Sequence, residues 1–181
     1  MNLEFYSNIA NKYKEDFKLF KDSIFPIVMR WEGGGKLHNV KGDSGGWTIW
    51  GIAFNYNKQL FSGFEDFRDT TREEASYIAF VKYYLACEAH NLPYDCKLYY
   101  FDMAYNMGVS RAIKIMQKCA GVKADGIIGA ITRSKMNCVK EECLVRERNG
   151  FYNRLVEQNS RFRKFIKGWL NRSASIYDFK Y

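Results

Sequence analysis

The most constraining feature of this sequence is an almost unbroken apolar and aromatic run at residues 98–107, which reads LYYFDMAYNM. A helix that is hydrophobic on every face belongs in the interior of a protein. We therefore expect a helical bundle around a buried central helix at about 97–107. Asp102 and Asn106 lie four residues apart in this run and would share one helix face. They either satisfy buried backbone groups or contact a substrate from the floor of a cleft.

Helical periodicity extends over most of the chain, and one segment departs from it. Thr71 and Glu74 have the spacing of a capping box, which predicts the start of a helix. Between residues 37 and 53, turn residues recur, and we expect short antiparallel strands there. The sequence thus predicts a mainly α fold with one small β-hairpin lobe at about 37–53.

Composition and charge narrow the classes of partner. The chain has 181 residues, 47% of them hydrophobic, which is enough for one packed domain. Its formal net charge of +8 favours an anionic partner such as nucleic acid, anionic lipid or bacterial cell wall. Basic residues crowd the C-terminal third, where they form either a solvated face or a surface that attracts an anionic polymer. Because this region lacks the recognition-helix signals of a sequence-specific nucleic-acid binder, we expect no nucleic-acid partner.

Leader, membrane and metal signals are not visible in the sequence. No apolar run is long enough to span a membrane, and the N-terminus has no recognisable secretory leader. We expect synthesis in the cytoplasm without a signal peptide, and no stable membrane insertion. Five cysteines without a CxxC pair favour a reduced protein with buried thiols. Two histidines are too few for a metal cluster, so we expect neither a metal nor a cofactor.

The stretch at residues 31–52, WEGGGKLHNVKGDSGGWTIWGI, carries the candidate chemistry. Hydrolysis of a glycosidic bond needs an acid that protonates the leaving oxygen and a group that orients water. Glu32 can serve as the general acid, Asp43 can activate or support the water, and Thr48 can help to hold it. The alternative is that Glu32 and Asp43 are ordinary turn residues and Thr48 an ordinary strand residue. Three tryptophans among the glycines favour a sugar ligand, and we interpret the stretch as the active site of a glycoside hydrolase.

Several separated motifs resemble those of the glycoside hydrolase family 108 lysozymes. The family pattern EGG followed by D-x-G-G-x-T-x-x-G-I occurs here at Glu32 and at residues 43–52. Further motifs match in the same order: FDMAYNMG at 101–108, DGIIGAIT at 125–132 and GWLNR at 168–172. Three glycines instead of two follow Glu32, and the loop lacks the frequent Asn-Asp-Pro. The resemblance spans roughly residues 23 to 174.

The resemblance implies a lysozyme-like α+β fold in a single domain over residues 1–181. Its catalytic part would cover about 23–92, and a helical part at about 93–174 would contain a peptidoglycan-binding module. The implied activity is that of an N-acetylmuramidase, with Glu32 as the general acid and Asp43 and Thr48 placing the water. For sugar contacts we expect Trp47, Tyr105 and Asn106.

The resemblance also implies the biological setting. The partner would be bacterial peptidoglycan, and the protein would act as a monomer. The family includes phage endolysins, which reach the wall through a phage-encoded pore. The alternative is a non-catalytic peptidoglycan-binding or secretion-associated protein on the same fold. The motifs leave open whether the reaction inverts or retains configuration.

Overall fold

The computed structural model describes residues 3–40 and 44–179 of the chain. By its internal contacts the chain divides into two compact units, Met1–Lys82 and Tyr83–Tyr181. Helices dominate the described residues, and a small antiparallel sheet lies in the first unit. The predicted mainly α fold with a small β lobe is confirmed. That the chain forms one domain with a catalytic and a helical part stays a prediction.

The first unit begins with helices α1 (Glu4–Lys12) and α2 (Lys14–Leu19), a π-helical turn (Phe20–Ile24) and α3 (Phe25–Met29). A three-stranded antiparallel sheet follows, made of β1 (His38–Asn39), β2 (Trp47–Ile49) and β3 (Ile52–Ala53), with β2 in the centre. The next helices are α4 (Phe54–Asn57), α5 (Phe64–Arg68) and α6 (Arg72–Ala79), with a 3-10 turn at Lys58–Leu60.

Local sequence signals account for the helix starts in this unit. Pro26 lies in the first turn of α3, directly after the π-helical turn at Phe20–Ile24. The predicted capping box is present at the start of α6. Thr71 Oγ1 accepts a hydrogen bond from the Glu74 amide at 3.2 Å, and the Glu74 carboxylate accepts one from the Thr71 amide at 2.7 Å. Together these contacts satisfy two amides that the helix itself cannot pair.

The triple glycine after α3 makes a turn that other residues would resist. Gly33, Gly34 and Gly35 have φ angles of +77°, +60° and +84°, which lie in the left-handed region. Gly35 also passes close to an indole, since a Cβ built on it would lie 2.3 Å from Cζ2 of Trp50. That indole is held in place because its Nε1 donates to the Thr70 carbonyl at 2.9 Å. Gly35 is therefore required both for its backbone conformation and for the space it leaves.

Replacing Gly35 by alanine is expected to lower the free energy of unfolding by about 2–3 kcal/mol. About 1–2 kcal/mol comes from the left-handed backbone, and the rest comes from the collision with Trp50. Gly34→Ala is the matched control, because its Cβ would meet nothing within 4 Å. Urea unfolding of both variants measures the difference, and equal losses would show that Trp50 moves aside.

The described residues of the second unit form helices that are joined by turns and loops. A π-helical turn (Phe80–Leu85) begins in the first unit and ends in the second. Its α-helices are α7 (Tyr94–Met107), α8 (Val109–Cys119), α9 (Ala130–Lys135), α10 (Glu141–Gln158) and α11 (Arg163–Asp178). Single 3-10 turns lie at Ala89–Asn91, Met136–Cys138 and Ser160–Phe162.

The predicted central helix is α7, and its two embedded polar residues belong to one network. The Asp102 carboxylate is fully buried between two guanidinium groups, with Arg148 Nη2 at 2.8 Å and Arg172 Nη2 at 2.7 Å. Arg148 Nε donates to the Tyr152 hydroxyl at 3.1 Å, and that hydroxyl donates to Asn106 Oδ1 at 2.9 Å. Both alternatives predicted for Asp102 are therefore wrong, because buried arginines of α10 and α11 neutralise it.

The charged form of Arg148 is favoured within this network. Burial is the largest single influence and lowers the pKa of Arg148, but the Asp102 carboxylate, Tyr152 and Tyr99 act together to raise that pKa above its ordinary value. The guanidinium also lies over the ring of Tyr99, 5.1 Å from its centroid. The network thus joins α7 to α10 and α11 through charged contacts in the interior of the unit.

The cysteines correct the prediction of a fully reduced protein. Cys119, at the end of α8, and Cys143, in the first turn of α10, form a disulfide with a Cα–Cα distance of 5.7 Å. Cys87 and Cys96 are buried and free, whereas Cys138 is free and exposed. The sequence carried no signal for this pair, because only the packing of α8 against α10 brings the two thiols together.

In the part of the chain that the structure describes, no helix has the length and apolar composition needed to cross a membrane.

Candidate active site

An open groove of about 480 Å³ lies in the first unit, where the turn after α3 meets the sheet and α4. The residues that line it are Trp31, Glu32, Gly33, His38, Gly45, Thr48, Gly51, Ala53 and Tyr56. Two of the predicted catalytic residues, Glu32 and Thr48, are therefore brought to one surface from different backbone segments.

Glu32 reaches the groove on the turn that follows α3. The amides of Trp31 and Glu32 donate to the carbonyls of Val28 and Met29, at 3.0 and 3.2 Å, which continues the helix as a turn. The Gly34 amide also donates to the Met29 carbonyl, at 3.0 Å, and closes that turn. Glu32 is thus held on a tight, glycine-rich turn, and its side chain is partly exposed along the groove wall.

Strand register decides which side chains of the sheet enter the groove. Thr48 of β2 is paired with His38 of β1 and with Ala53 of β3. Residues paired across antiparallel strands project from the same face, and all three line the groove. The Thr48 hydroxyl donates to the Gly46 carbonyl at 3.4 Å. This hydrogen bond is long and weak, so the hydroxyl can exchange it for a stronger one.

Trp47 lies on the other face of the sheet, because neighbouring residues of a strand point in opposite directions. Its ring packs against Phe64 with centroids 5.8 Å apart, and it is not among the residues that line the groove. Two other aromatic residues, Trp31 and Tyr56, line the groove and are 41% and 61% exposed. Neither was among the predicted sugar contacts, although Trp31 is one of the three tryptophans that favoured a sugar ligand for this stretch.

The third predicted catalytic residue, Asp43, lies outside the described residues. The described part of the chain continues from Ser44. The Ser44 carbonyl accepts a hydrogen bond from Asn55 Nδ2 at 2.9 Å, and the Gly45 carbonyl accepts one from the Asn55 amide at 3.1 Å. The segment that follows Asp43 in the chain is therefore attached to α4.

Tyr105 and Asn106, predicted as sugar contacts, belong to the second unit. The Tyr105 ring packs against Tyr83 and Phe101, with centroid distances of 4.6 and 5.4 Å. Asn106 is exposed, and its carbonyl oxygen is the acceptor for Tyr152 described above. Contact of Trp47, Tyr105 or Asn106 with a sugar stays a prediction.

The Asp125-Gly126 turn of the second unit is organised by one buried amide. Gln117 is fully buried, and its Nε2 donates to Asp125 Oδ1 and to the Ile127 carbonyl, both at 2.9 Å. Its Oε1 accepts from the Gly126 amide at 2.8 Å. The Ile127 amide and Gln117 together hold the pKa of the Asp125 carboxyl below its ordinary value. These contacts give the turn a structural role.

No metal-binding group of His, Cys, Asp or Glu side chains occurs among residues 3–40 and 44–179. The described groove instead offers a carboxyl group, a hydroxyl group and aromatic rings along an open surface. Such a set can protonate an ether oxygen, hold water and pack against sugar rings. These features, on a mainly helical fold, are those that a glycoside hydrolase acting on a polymer requires.

Comparison with known proteins specifies that class. The profile of the family described as Glycosyl hydrolase 108 matches residues 25–108, and that of the Predicted Peptidoglycan domain matches residues 111–174. The structure of Brucella abortus SagA is similar over 91% of this chain and 92% of that chain, with a TM-score of 0.69 and 26% sequence identity. No curated protein sequence matches the chain.

Residues 25–108 therefore belong to glycoside hydrolase family 108, and residues 111–174 belong to the predicted peptidoglycan domain family. The resemblance inferred from the motifs is confirmed. The chain is accordingly a peptidoglycan hydrolase of the glycoside hydrolase class.

Proposed function

We propose that this protein is an N-acetylmuramidase, which cleaves the β-1,4 bond between N-acetylmuramic acid and N-acetylglucosamine. The observation that carries the proposal is that Glu32 and Thr48 line one open groove within the family 108 segment. An open groove accepts the middle of a long glycan, as a polymer substrate requires. The aromatic rings of Trp31 and Tyr56 offer apolar surface for sugar faces.

The proposed reaction uses two carboxyl groups and one water molecule. Glu32 donates a proton to the glycosidic oxygen while the bond from that oxygen to the anomeric carbon of N-acetylmuramic acid breaks. Water then forms the new bond to the anomeric carbon and gives up a proton to the Asp43 carboxylate, with Thr48 holding the water. The role of Asp43 rests on the sequence pattern alone.

The proposal also covers the role of the second unit and the way in which the protein reaches the cell wall. Residues 111–174 would hold the wall while the groove cuts it, in keeping with the described family of that segment. The resemblance to phage endolysins adds release through a pore. Cells that express the chain should then lyse only when a pore-forming protein is expressed with it.

The bond that is cut can be identified by mass spectrometry of digested peptidoglycan. We expect soluble fragments whose reducing end is N-acetylmuramic acid. An N-acetylglucosamine reducing end, or cut stem peptides, would overturn the proposed specificity. Retention of the protein on insoluble peptidoglycan without any released fragment would favour the non-catalytic wall-binding alternative.

A further inference from the structure

The segment at residues 44–46, which leads into β2, is clamped by the first turn of α4. The Ser44 hydroxyl is hydrogen-bonded to the Tyr56 hydroxyl, and the Ser44 carbonyl accepts from Asn55 Nδ2 at 2.9 Å. The Asn55 amide holds the Gly45 carbonyl at 3.1 Å. Three hydrogen bonds from two consecutive residues thus reach two consecutive residues of the segment.

Gly46 shows how closely the clamp fits. It has a φ angle of +69°, and a Cβ built on it would lie 2.7 Å from Asn55 Nδ2. Glycine at this position therefore lets the Asn55 carboxamide lie against the backbone. The same glycine carbonyl is the contact of the Thr48 hydroxyl, so the clamped segment also touches the proposed catalytic threonine.

We propose that Asn55 and Tyr56 are positioning residues for the reaction at this groove, an inference that rests on the proposed function. They fix residues 44–46, and that segment determines the positions of the groove wall at Gly45 and of the Thr48 hydroxyl. Without them a run of Ser-Gly-Gly has wide backbone freedom. Glycosidic cleavage is sensitive to such freedom, because a misplacement of about 1 Å can lower the rate by about 100-fold.

A rival role for Tyr56 is direct contact with the sugar, since its ring also lines the groove. The two roles differ in their consequences. A sugar contact through the hydroxyl would act without Ser44 and would change substrate binding. A positioning hydroxyl acts through Ser44, so removing either hydroxyl breaks the same hydrogen bond and removing both adds little.

The test is a double-mutant cycle on soluble, un-cross-linked peptidoglycan strands. Tyr56→Phe and Ser44→Ala should each lower kcat by about five- to tenfold, with KM within about twofold, and the double variant should be no slower than either. Each variant keeps the ring or the backbone, so thermal midpoints should change by less than about 2 °C. Asn55→Ala should lower kcat at least as much, because it releases the Ser44 carbonyl.

Tyr77→Phe is the matched control. It removes a tyrosine hydroxyl from the same unit, one whose contact with Glu73 at 3.5 Å is long and lies outside the groove. Its kcat and KM should equal those of the wild type.

The outcomes separate this inference from the proposed function. Wild-type protein that releases no muramic acid ends overturns both. Active wild type with an unchanged Tyr56→Phe variant overturns the positioning role alone. The positioning role would also be overturned if Tyr56→Phe raised KM and if its effect multiplied with that of Ser44→Ala in the double variant. That result would assign Tyr56 to sugar binding.

Discussion

Replacing Glu32 by glutamine is expected to lower the rate of peptidoglycan cleavage by at least about 100-fold. Glutamine has nearly the same shape as glutamate, so the turn after α3 and the groove should keep their structure. The amide, however, cannot deliver a proton to the glycosidic oxygen as that oxygen departs. The loss should appear in kcat, because the sugar-contacting surface of the groove is unchanged.

Loss of turbidity of a peptidoglycan suspension measures this effect, together with the count of new reducing ends. Glu4→Gln is the matched control, because it makes the same change at an exposed carboxyl on α1 of the same unit. Glu4→Gln should clear the suspension at the wild-type rate. Equal clearing by Glu32→Gln would refute the role of Glu32 as the general acid.

Replacing Asp102 by asparagine is expected to lower the free energy of unfolding by about 3–5 kcal/mol. Asp102 is 0% exposed, and its two oxygens neutralise Arg148 and Arg172, which are themselves buried. Asparagine has almost the same volume, so no cavity forms. Its amide is neutral, however, and would remove from the interior the negative charge that lies between these two guanidinium groups, which is strongly unfavourable.

Thermal unfolding followed by circular dichroism tests this expectation, and the midpoint should fall by roughly 10 °C. Asp95→Asn is the control, because Asp95 is an exposed carboxyl in the first turn of the same helix. There the exposed carboxylate interacts with the helix dipole, and its loss should cost less than about 1 kcal/mol. An Asp102→Asn variant as stable as Asp95→Asn would mean that the buried arginines find other partners.

Features that depend on neighbours in the chain were predictable. Thr71 and Glu74 make their capping box within one helical turn, so the sequence determines both partners. The aromatic run that became α7 predicted a buried helix because no face of it could be left in water. Turn glycines around residues 37–53 likewise predicted the β lobe that carries Thr48. The motifs also predicted the family, since their order along the chain is a property of the sequence.

Tertiary structure decided which distant groups meet. Asp102 and Arg172 are 70 residues apart in the sequence, and their contact arises only because α11 packs on α7. Cys119 and Cys143 are bonded for a similar reason. The register of β2 places the Thr48 side chain in the groove and the Trp47 side chain on the opposite face of the sheet. A shift of that register by one residue would exchange the two side chains. Helix starts and buried runs follow from local hydrogen bonding and hydrophobicity, which the sequence determines. Partners across the interior depend on how elements pack, and only the folded chain brings them together.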